Sequence, residues 1–590
     1  MTFTSPIDEM LFTLKHIAGV DEIISSNLFP DFDQDLLEAV LNEAGRFANE
    51  QLAPLNIKGD EHGAKLVDGK VILPDGWAET YKNWAEGGWA SLPGSTEYGG
   101  QGLPMSLSLA CSELWNSAAM AFGLCPLLTQ GAVNALTHYG NDELKQRYLP
   151  QMISGEWTGT MLLTEPQAGS DLGHIRTKAV RQDDGSFKLS GTKIFITYGE
   201  HSLTDNIIHM VLGRIEGAPE GTRGISLFLV PKFMLNEDGS IGARNDVHCT
   251  KLEEKLGIHA SPTCVMNMGD EGGAVGYLVG EENRGLNAMF KMMNEARIGV
   301  GAQGVAIAER AFQHALNYAK DRKQGRAKDT PAGEMAPIIQ HPDIQRMLLE
   351  SKAKIAASRA ICYTVAKNID IAENSKDPEQ AAIADAKVAL LTPVAKAYST
   401  DIGVEVASEA VQVHGGMGYI EETGAAQHMR DARIAPIYEG TNGIQAMDLV
   451  GRKLPMEDGK AIRAHIAELR SIADDLRASN RTELGKAPER IDTAITALEN
   501  ATKWIFENLA SNSQAVMAGA VPYQKLFALA TGGAYLAKGC LSAMKSGDAP
   551  DHSIISTRYF AENVCVEAPA LETTVTEGAD SILLGASSLL

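Results

Sequence analysis

The stretch FKLSGTKIFITY, residues 187–198, alternates apolar and polar side chains at its start and closes in a β-branched and aromatic run. A period of two with that composition reads as a strand, because successive strand side chains point to opposite faces. GTMLLTE, NIIHMVLGRI and GISLFLVPK share the texture, and DDGS, EGAPEG and NEDGS separate such runs with turn-forming residues. Residues 159–280 are therefore expected to form strands spaced as in a small barrel or sandwich.

Outward in both directions the apolar period changes to three and four. LLEAVLNEAGRFANEQLAPL and SLSLACSELWNSAAMAFGL predict helices through residues 1–158. Helical spacing returns in NRGLNAMFKMMNEARIGVGAQGVAIAERAFQHALNYAKDR and in AAIADAKVALLTPVAKAYSTDIGVEVASEAVQVHGG. Beyond Pro455, HIAELRSIADDLRAS, RIDTAITALENATKWIFENLA and residues 521–545 are further helix candidates. The expected fold class is α+β, mostly α: a helical N-terminal domain over 1–158, a middle β-domain over 159–280, a C-terminal helical domain over 281–455 and a helical extension over 456–590.

At 590 residues the chain exceeds one ordinary core, so three or four cooperating units are expected, with room to bury a large cofactor. Its 75 acidic against 52 basic residues give a formal charge of −23, which opposes the basic footprint that nucleic-acid binding needs. Seven cysteines stand apart with no CxxC pair, against a disulfide framework or a zinc site, and a reducing cytoplasm fits. MTFTSPIDEMLFTLKH lacks the basic-then-apolar pattern of an export signal. LFALATGGAYLA, residues 526–537 between Lys525 and Lys538, falls short of the roughly 20 residues that span a bilayer and is expected as a buried helix.

Several motifs invite chemistry that their context denies. GVGAQG (299–304) matches a dinucleotide fingerprint, yet the spacing before it is helical, so close helix packing by small residues is expected instead. VHGGMGY (413–419) matches part of an esterase oxyanion loop, without the G-x-S-x-G nucleophile elbow. DFDQDL (31–36) begins like a calcium loop but has Leu36 where glycine is needed, and reads as an acidic helix start. The fourteen histidines lack metal-ligand spacing, so no metal is expected. LTEPQAGSD (163–171) differs: a strand end, a Pro turn, a Gly–Ser pair and an acid can present N–H groups and hydroxyls to an anion or ring. APIYEGTNGIQ (435–445) sets Glu439 directly behind an apolar run and directly ahead of turn and cap residues.

In this order LTEPQAGSD, GTKIFITYGEH, NEARIGVGAQG, YAKDRK, VQVHGGMGY and MRDARIAPIYEGTNGIQ resemble the acyl-CoA dehydrogenase family, over about residues 40–455. The resemblance implies a helical N-terminal domain, a middle β-domain, a C-terminal four-helix bundle, an FAD cofactor, an acyl-CoA substrate and electrons leaving to an electron-transfer flavoprotein. It makes Glu439 the base that removes the α-proton while the flavin accepts a hydride from the β-carbon. The apolar run ahead of Glu439 then makes sense, since desolvation strengthens a carboxylate as a base. The thioester oxygen would be held by the Glu439 backbone N–H and a ribityl hydroxyl, with Gly440 leaving room beside it.

Flavin contacts carry over by the same resemblance to Met161, Leu163 and Thr164, to Phe195, Ile196 and Thr197, and to Thr441 and Gly443. Phe195 stands where the family often has Trp. Arg322 resembles the arginine that reaches the FAD pyrophosphate of a neighbouring subunit, so a homo-oligomer, a dimer, is expected; Gln412, Gly415 and Gly416 resemble the backbone-lined pyrophosphate contact. After Arg322 the usual R-x-x-F-G gives way to RKQGRAKDTPAGEMAPIIQHPDIQ, which leaves further flavin contacts in that loop unassigned. For CoA, Ser170, Asn294 and Arg297 match contact positions, with Asn294 where Asp is common.

The length, the SPIDEMLFTL start and the extension past 455 look like a long bacterial branch that converts 3-methylmercaptopropionyl-CoA to 3-methylthioacryloyl-CoA in dimethylsulfoniopropionate degradation. Competing expectations are a dehydrogenase of longer fatty acyl chains, an acyl-CoA oxidase, and a DNA-binding flavoprotein of the same fold, the last opposed by the charge of −23. A cytoplasmic protein with no nucleic-acid and no membrane partner is expected; the extension's helices look core-like rather than basic and amphipathic.

Overall fold

The computed structural model describes residues 3–328, 330–547, 550–586 and 588–589. One compact unit comprises Arg46–Pro104 and Ala118–Gly299. Its strands among the described residues are β1 (Lys65–Val67), β2 (Lys70–Ile72), β3 (Thr158–Leu162), β4 (Lys178–Arg181), β5 (Phe187–Thr197), β6 (Ile207–Ile215), β7 (Ile225–Pro231), β8 (Phe233–Leu235), β9 (Ile241–Arg244), β10 (Val247–Leu252), β11 (Thr263–Met268) and β12 (Ala274–Val279). The expected runs thus become β3, β5, β6 and β7.

Eight strands form one sheet in the order β10-β11-β5-β12-β7-β6-β3, with β4 paired to both β5 and β6. The β3–β6 and β4–β6 pairs are parallel and the others antiparallel. β5 is the shared strand: residues 191–197 pair with β11, and residues 187–189 with β12. β6 and β7 are buried on both faces, which explains their nearly continuous apolar sequence. On one face Val211, Phe228 and Val230 cluster with Phe187, Leu189 and Met266. On the other, Met210, Leu212 and Leu229 meet Leu128, Leu136, Leu149 and Met152 of the helices Met120–Tyr139 and Asp142–Ser154. Each fully buried large aliphatic side chain contributes about 1.5–3 kcal/mol.

The N-terminal segment is helical, with one exception. β1 and β2 pair as a hairpin through Asp68 and Gly69, both left-handed at φ 49 and 73. KLVDGKVI carried that signal: an Asp-Gly pair between short alternating runs suits the twist of a two-residue hairpin turn.

The other unit comprises Met1–Gly45, Met105–Ser117 and Val300–Leu590. Its frame is two long helices, Pro342–Asn374 and Pro378–His414, each opened by a proline at a position where the missing N–H costs nothing. GVGAQG lies inside the helix Gly285–Asp321 rather than after a strand. A Cβ on Gly304 would come 2.3 Å from Ser399 O, and one on Gly301 3.1 Å from Cys362 Sγ, so these glycines let helices approach closely. Asp33 Oδ1 accepts the Leu36 N–H at 2.8 Å as the helix Gln34–Phe47 begins, which makes DFDQDL a helix start.

The extension adds Lys460–Ala478, Ala487–Asn508 and Ala520–Ser546. Among the described residues the last is the one helix long and apolar enough by composition to cross a membrane, and 89% of its most apolar window is buried against protein. All seven cysteines are free and buried.

Buried charge ties distant segments into this unit. The Asp370 carboxylate accepts the N–H groups of Met105 and Ser106, at 2.6 and 3.0 Å, at the start of the helix Met105–Ala118. Burial pushes its carboxyl up to about 7, against the pull of those donors. Arg359 donates to Glu113 Oε1 at 2.8 and 2.7 Å and to Glu309 Oε2 at 3.0 Å, while the Tyr363 hydroxyl donates to Glu113 Oε2 at 2.8 Å. Arg359 also lies 3.6 Å from Glu9 of the first helix.

Candidate active site

In the β-containing unit, Met161 lies in β3, and Leu163 and Thr164 just past its end. β5 is held alongside: Ile194 N–H donates to Thr164 O at 2.9 Å, Lys193 Nζ to Leu163 O at 3.0 Å, and Thr160 Oγ1 to Thr197 O at 2.8 Å. There β5 bulges, since its register against β11 slips between the pairs Ile196 with Cys264 and Lys193 with Met266. Phe195 sits in the bulge at φ 61, a conformation uncommon for an aromatic residue. The bulge turns the Phe195 ring outward to 60% exposure while Ile196 stays in the core.

The LTEPQAGSD turn closes by reciprocal hydrogen bonds of 2.9 and 3.0 Å between Glu165 and Ala168. The buried Glu165 carboxylate accepts from Thr177 Oγ1 and Arg176 N–H at 2.6 Å each and from Lys193 Nζ at 2.9 Å. Burial would raise its carboxyl, but Lys193, the Thr177 hydroxyl and the Arg176 amide together hold it at about 2. Burial pushes Lys193 down to about 8 against the pull of Glu165. This pair locks the turn onto β5. Met161, Leu163, Thr164, Phe195, Ile196 and Thr197 are thus brought together on paired segments, and an exposed aromatic face suits a flat heteroaromatic ring. Ser170 is exposed in the same turn. Asn294 and Arg297 lie one turn apart on their helix, Arg297 Nη1 donating to Asn294 Oδ1 at 3.2 Å.

In the other unit, Glu439 is half-buried, with Ala435 buried behind it and Ile437 46% exposed. Glu439 and Gly440 are both left-handed, at φ 54 and 83. They reverse the chain, so that Asn442 N–H reaches Pro436 O at 3.0 Å and Thr441 Oγ1 accepts the Ile444 N–H at 3.3 Å to open the helix Asn442–Asp448. A left-handed Glu costs about 1–2 kcal/mol and persists only where its surroundings over-determine it.

The surroundings do so here. Gln445 Nε2 donates to Glu439 O at 3.2 Å, and Lys396 Nζ to Gly440 O and to Asn442 Oδ1, both at 2.9 Å. Asn442 Nδ2 in turn reaches Ala397 O at 3.1 Å and Asp401 Oδ1 at 2.7 Å. The Tyr438 hydroxyl donates to Gln303, whose Nε2 donates to Asn116 Oδ1 at 3.1 Å. Lys396, Gln303, Asn442 and Gln445 were not legible as site residues, although a lysine within the apolar run ALLTPVAKAYS was a signal for the first.

The remaining residues of this unit occupy two other places. The helix Pro378–His414 ends in Gly415, at φ 60 and ψ −141, a region that side chains rarely enter, and Gln412, Gly415 and Gly416 are all exposed there. Arg322 is exposed one residue past the helix Gly285–Asp321, its Nη2 3.5 Å from Gln324 Oε1. The atypical loop after it folds back on itself, with Gln324 N–H on Ala336 O at 2.9 Å and Ala336 N–H on Gly325 O at 3.0 Å. Among the described residues no group of His, Cys, Asp and Glu is arranged to hold a metal ion.

Successive segments match known domains: Acyl-CoA dehydrogenase, N-terminal domain, over residues 34–156; middle domain over 160–270; C-terminal domain over 283–454; and Acetyl-CoA dehydrogenase C-terminal like over 460–584. The chain is 45% identical to the 3-methylmercaptopropionyl-CoA dehydrogenase of Ruegeria pomeroyi, over 99% of both chains. A solved acyl-CoA dehydrogenase from Bacillus anthracis, complexed with FAD, shares the fold with a TM-score of 0.75 at 22% identity, over 95% of this chain and 92% of that one. A chain in a structure described as an electron transferring flavoprotein of Acidaminococcus fermentans is alike at 27% identity and a TM-score of 0.58, over 71% of this chain and 97% of that one. With its N-terminal, middle and C-terminal domains all matched in order and a relative alike along nearly its whole length, the chain belongs to the acyl-CoA dehydrogenase family of oxidoreductases.

Proposed function

We propose that the chain forms the 2,3-double bond of a short or medium acyl-CoA, 3-methylmercaptopropionyl-CoA foremost, with FAD as cofactor and an electron-transfer flavoprotein as acceptor, in the cytoplasm. The observation that carries the reading is Glu439, a half-buried carboxylate fixed in left-handed backbone by its neighbours. The Ruegeria pomeroyi relative supports the thioether substrate, and the Acidaminococcus fermentans likeness supports the acceptor.

FAD, when bound, supplies the acceptor for the hydride that leaves the substrate β-carbon. Phe195 offers the exposed flat face, and the half-buried Thr164 and Thr197 offer polar groups on the paired segments. Gln412, Gly415 and Gly416 offer exposed backbone for the pyrophosphate, and the Arg322 guanidinium suits the same group of a partner subunit. Glu439 takes the α-proton onto a carboxylate oxygen. That proton is acidic only when charge developing on the thioester oxygen is stabilised, for which this chain supplies the Glu439 backbone N–H.

A homodimer carrying one FAD per chain is expected in sedimentation of the purified protein, with flavin identified after denaturation. A fully active monomer would overturn the role of Arg322, and a protein that takes up no flavin would overturn the whole reading.

The acyl group is tested by kcat/KM for 3-methylmercaptopropionyl-CoA and straight chains of roughly four to sixteen carbons, since one methylene shifts pocket discrimination by about 1–3 kcal/mol. The thioether substrate is expected at the maximum, with butyryl- to octanoyl-CoA also turned over, because sulfur and methylene are similar in size and apolarity. A maximum at or beyond about twelve carbons points to a long-chain fatty-acid enzyme instead. Fast reoxidation of the reduced enzyme by air would identify an oxidase.

A further inference from the structure

We propose that Lys396 is the positioning residue of the base: it fixes the Glu439–Gly440 peptide so that the carboxylate meets the substrate α-carbon in one orientation. The inference rests on the reading of Glu439 as base. Lys396 is 0% exposed, within a helical run where Leu390, Leu391, Val394, Ala395 and Ala397 are all buried too. An apolar side chain would fill that stripe without desolvating an ammonium, a group that is costly to bury unless its N–H groups are satisfied.

Two of its acceptors, each at 2.9 Å, lie in the loop of the base: the Gly440 carbonyl and Asn442 Oδ1. Gly440 O directly follows Glu439, and the two residues are the left-handed pair of the turn. Pinning that carbonyl fixes the peptide plane from which the Glu439 side chain departs. Asn442 repeats the attachment, since the same helix also holds it through Ala397 O at 3.1 Å, Thr400 Oγ1 at 3.0 Å and Asp401 Oδ1 at 2.7 Å. The loop is thus fastened to the Lys396–Asp401 stretch of that helix, with Lys396 supplying the cation that grips the Gly440 carbonyl. A misplacement of about 1 Å at a reacting group can cost about 10²-fold in rate.

The test uses the full-length holoenzyme and butyryl-CoA, mixed rapidly under anaerobic conditions while flavin reduction is followed. Lys396→Met, Lys396→Gln, Asn442→Ala and Glu439→Gln are compared, with flavin content and KM measured for each. Lys396→Met is expected to reduce its flavin about 10–100-fold more slowly at unchanged KM and flavin content. Lys396→Gln, which keeps a donor for Gly440 O, is expected to lose less. Adding Lys396→Met to Glu439→Gln is expected to cost nothing more, because the first change acts through the second residue. If Lys396→Met reduces flavin at the wild-type rate while Glu439→Gln does not, this inference fails and the base assignment stands. A Glu439→Gln enzyme at the wild-type rate removes the base assignment itself. Should Lys396→Met not fold, Asn442→Ala must show the same rate-selective loss; if it too merely sheds flavin, the contacts are structural and the proposal is overturned.

Discussion

Glu439→Gln is expected to lower turnover by about 10²–10⁴-fold, the range a positioned general base contributes, while flavin content and acyl-CoA affinity stay near wild type. The separation follows from which atoms hold the loop. Gln445 grips the Glu439 carbonyl and Lys396 the Gly440 carbonyl, so both contacts are made to backbone and survive the exchange. The amide keeps the shape of the carboxylate, leaving the left-handed turn undisturbed, but it cannot accept the α-proton. The measurement is steady-state turnover on butyryl-CoA together with acyl-CoA titration of the bound flavin. A variant that keeps most activity moves the base elsewhere; Glu295, half-buried on the helix Gly285–Asp321, is then the first residue to replace.

Why the base was legible and its supports were not comes down to the range of the interactions. Glu439 stands out in one dimension, since an apolar run, an acid and a Gly-Thr-Asn cap are neighbours in the chain. Lys396 is 43 positions earlier, and its hydrogen bonds exist only because the helix Pro378–His414 passes beneath the loop. The strand period of FKLSGTKIFITY was equally local. The bulge that exposes Phe195 was not, because it depends on β11 supplying one residue fewer than β5 at that point. The hairpin Lys65–Ile72 is the reverse case: Asp68-Gly69 announced it, and the surrounding helical period masked a signal that spans only eight residues.

The helical, β and helical textures were likewise readable, yet one compact unit gathers residues 1–45 and 105–117 together with 300–590. No periodicity reports such gathering. Part of its cause is charge: acids from the helices Ile7–Phe12, Met105–Ala118 and Gly285–Asp321 converge on one arginine of Pro342–Asn374. In sequence Glu9, Glu113 and Glu309 look like any other helical glutamates.

Arg359→Met is therefore expected to cost about 3–5 kcal/mol of stability, the price of leaving buried carboxylates without their cation. Arg359, Glu113 and Glu309 are 1%, 1% and 2% exposed as side chains, so water cannot replace the lost guanidinium without opening the unit. The Tyr363 hydroxyl still donates to Glu113 and Gln313 Nε2 still donates to Glu309 at 3.0 Å, which offsets only part of the loss. Urea unfolding monitored by tryptophan fluorescence checks the size of the effect. Combining Arg359→Met with Glu113→Gln and Glu309→Gln is expected to recover most of the stability, since the charges are then removed as a set rather than orphaned. If Arg359→Met alone costs less than about 1 kcal/mol, the carboxylates are already compensated some other way, and packing rather than ion pairing holds the N-terminal helices in this unit.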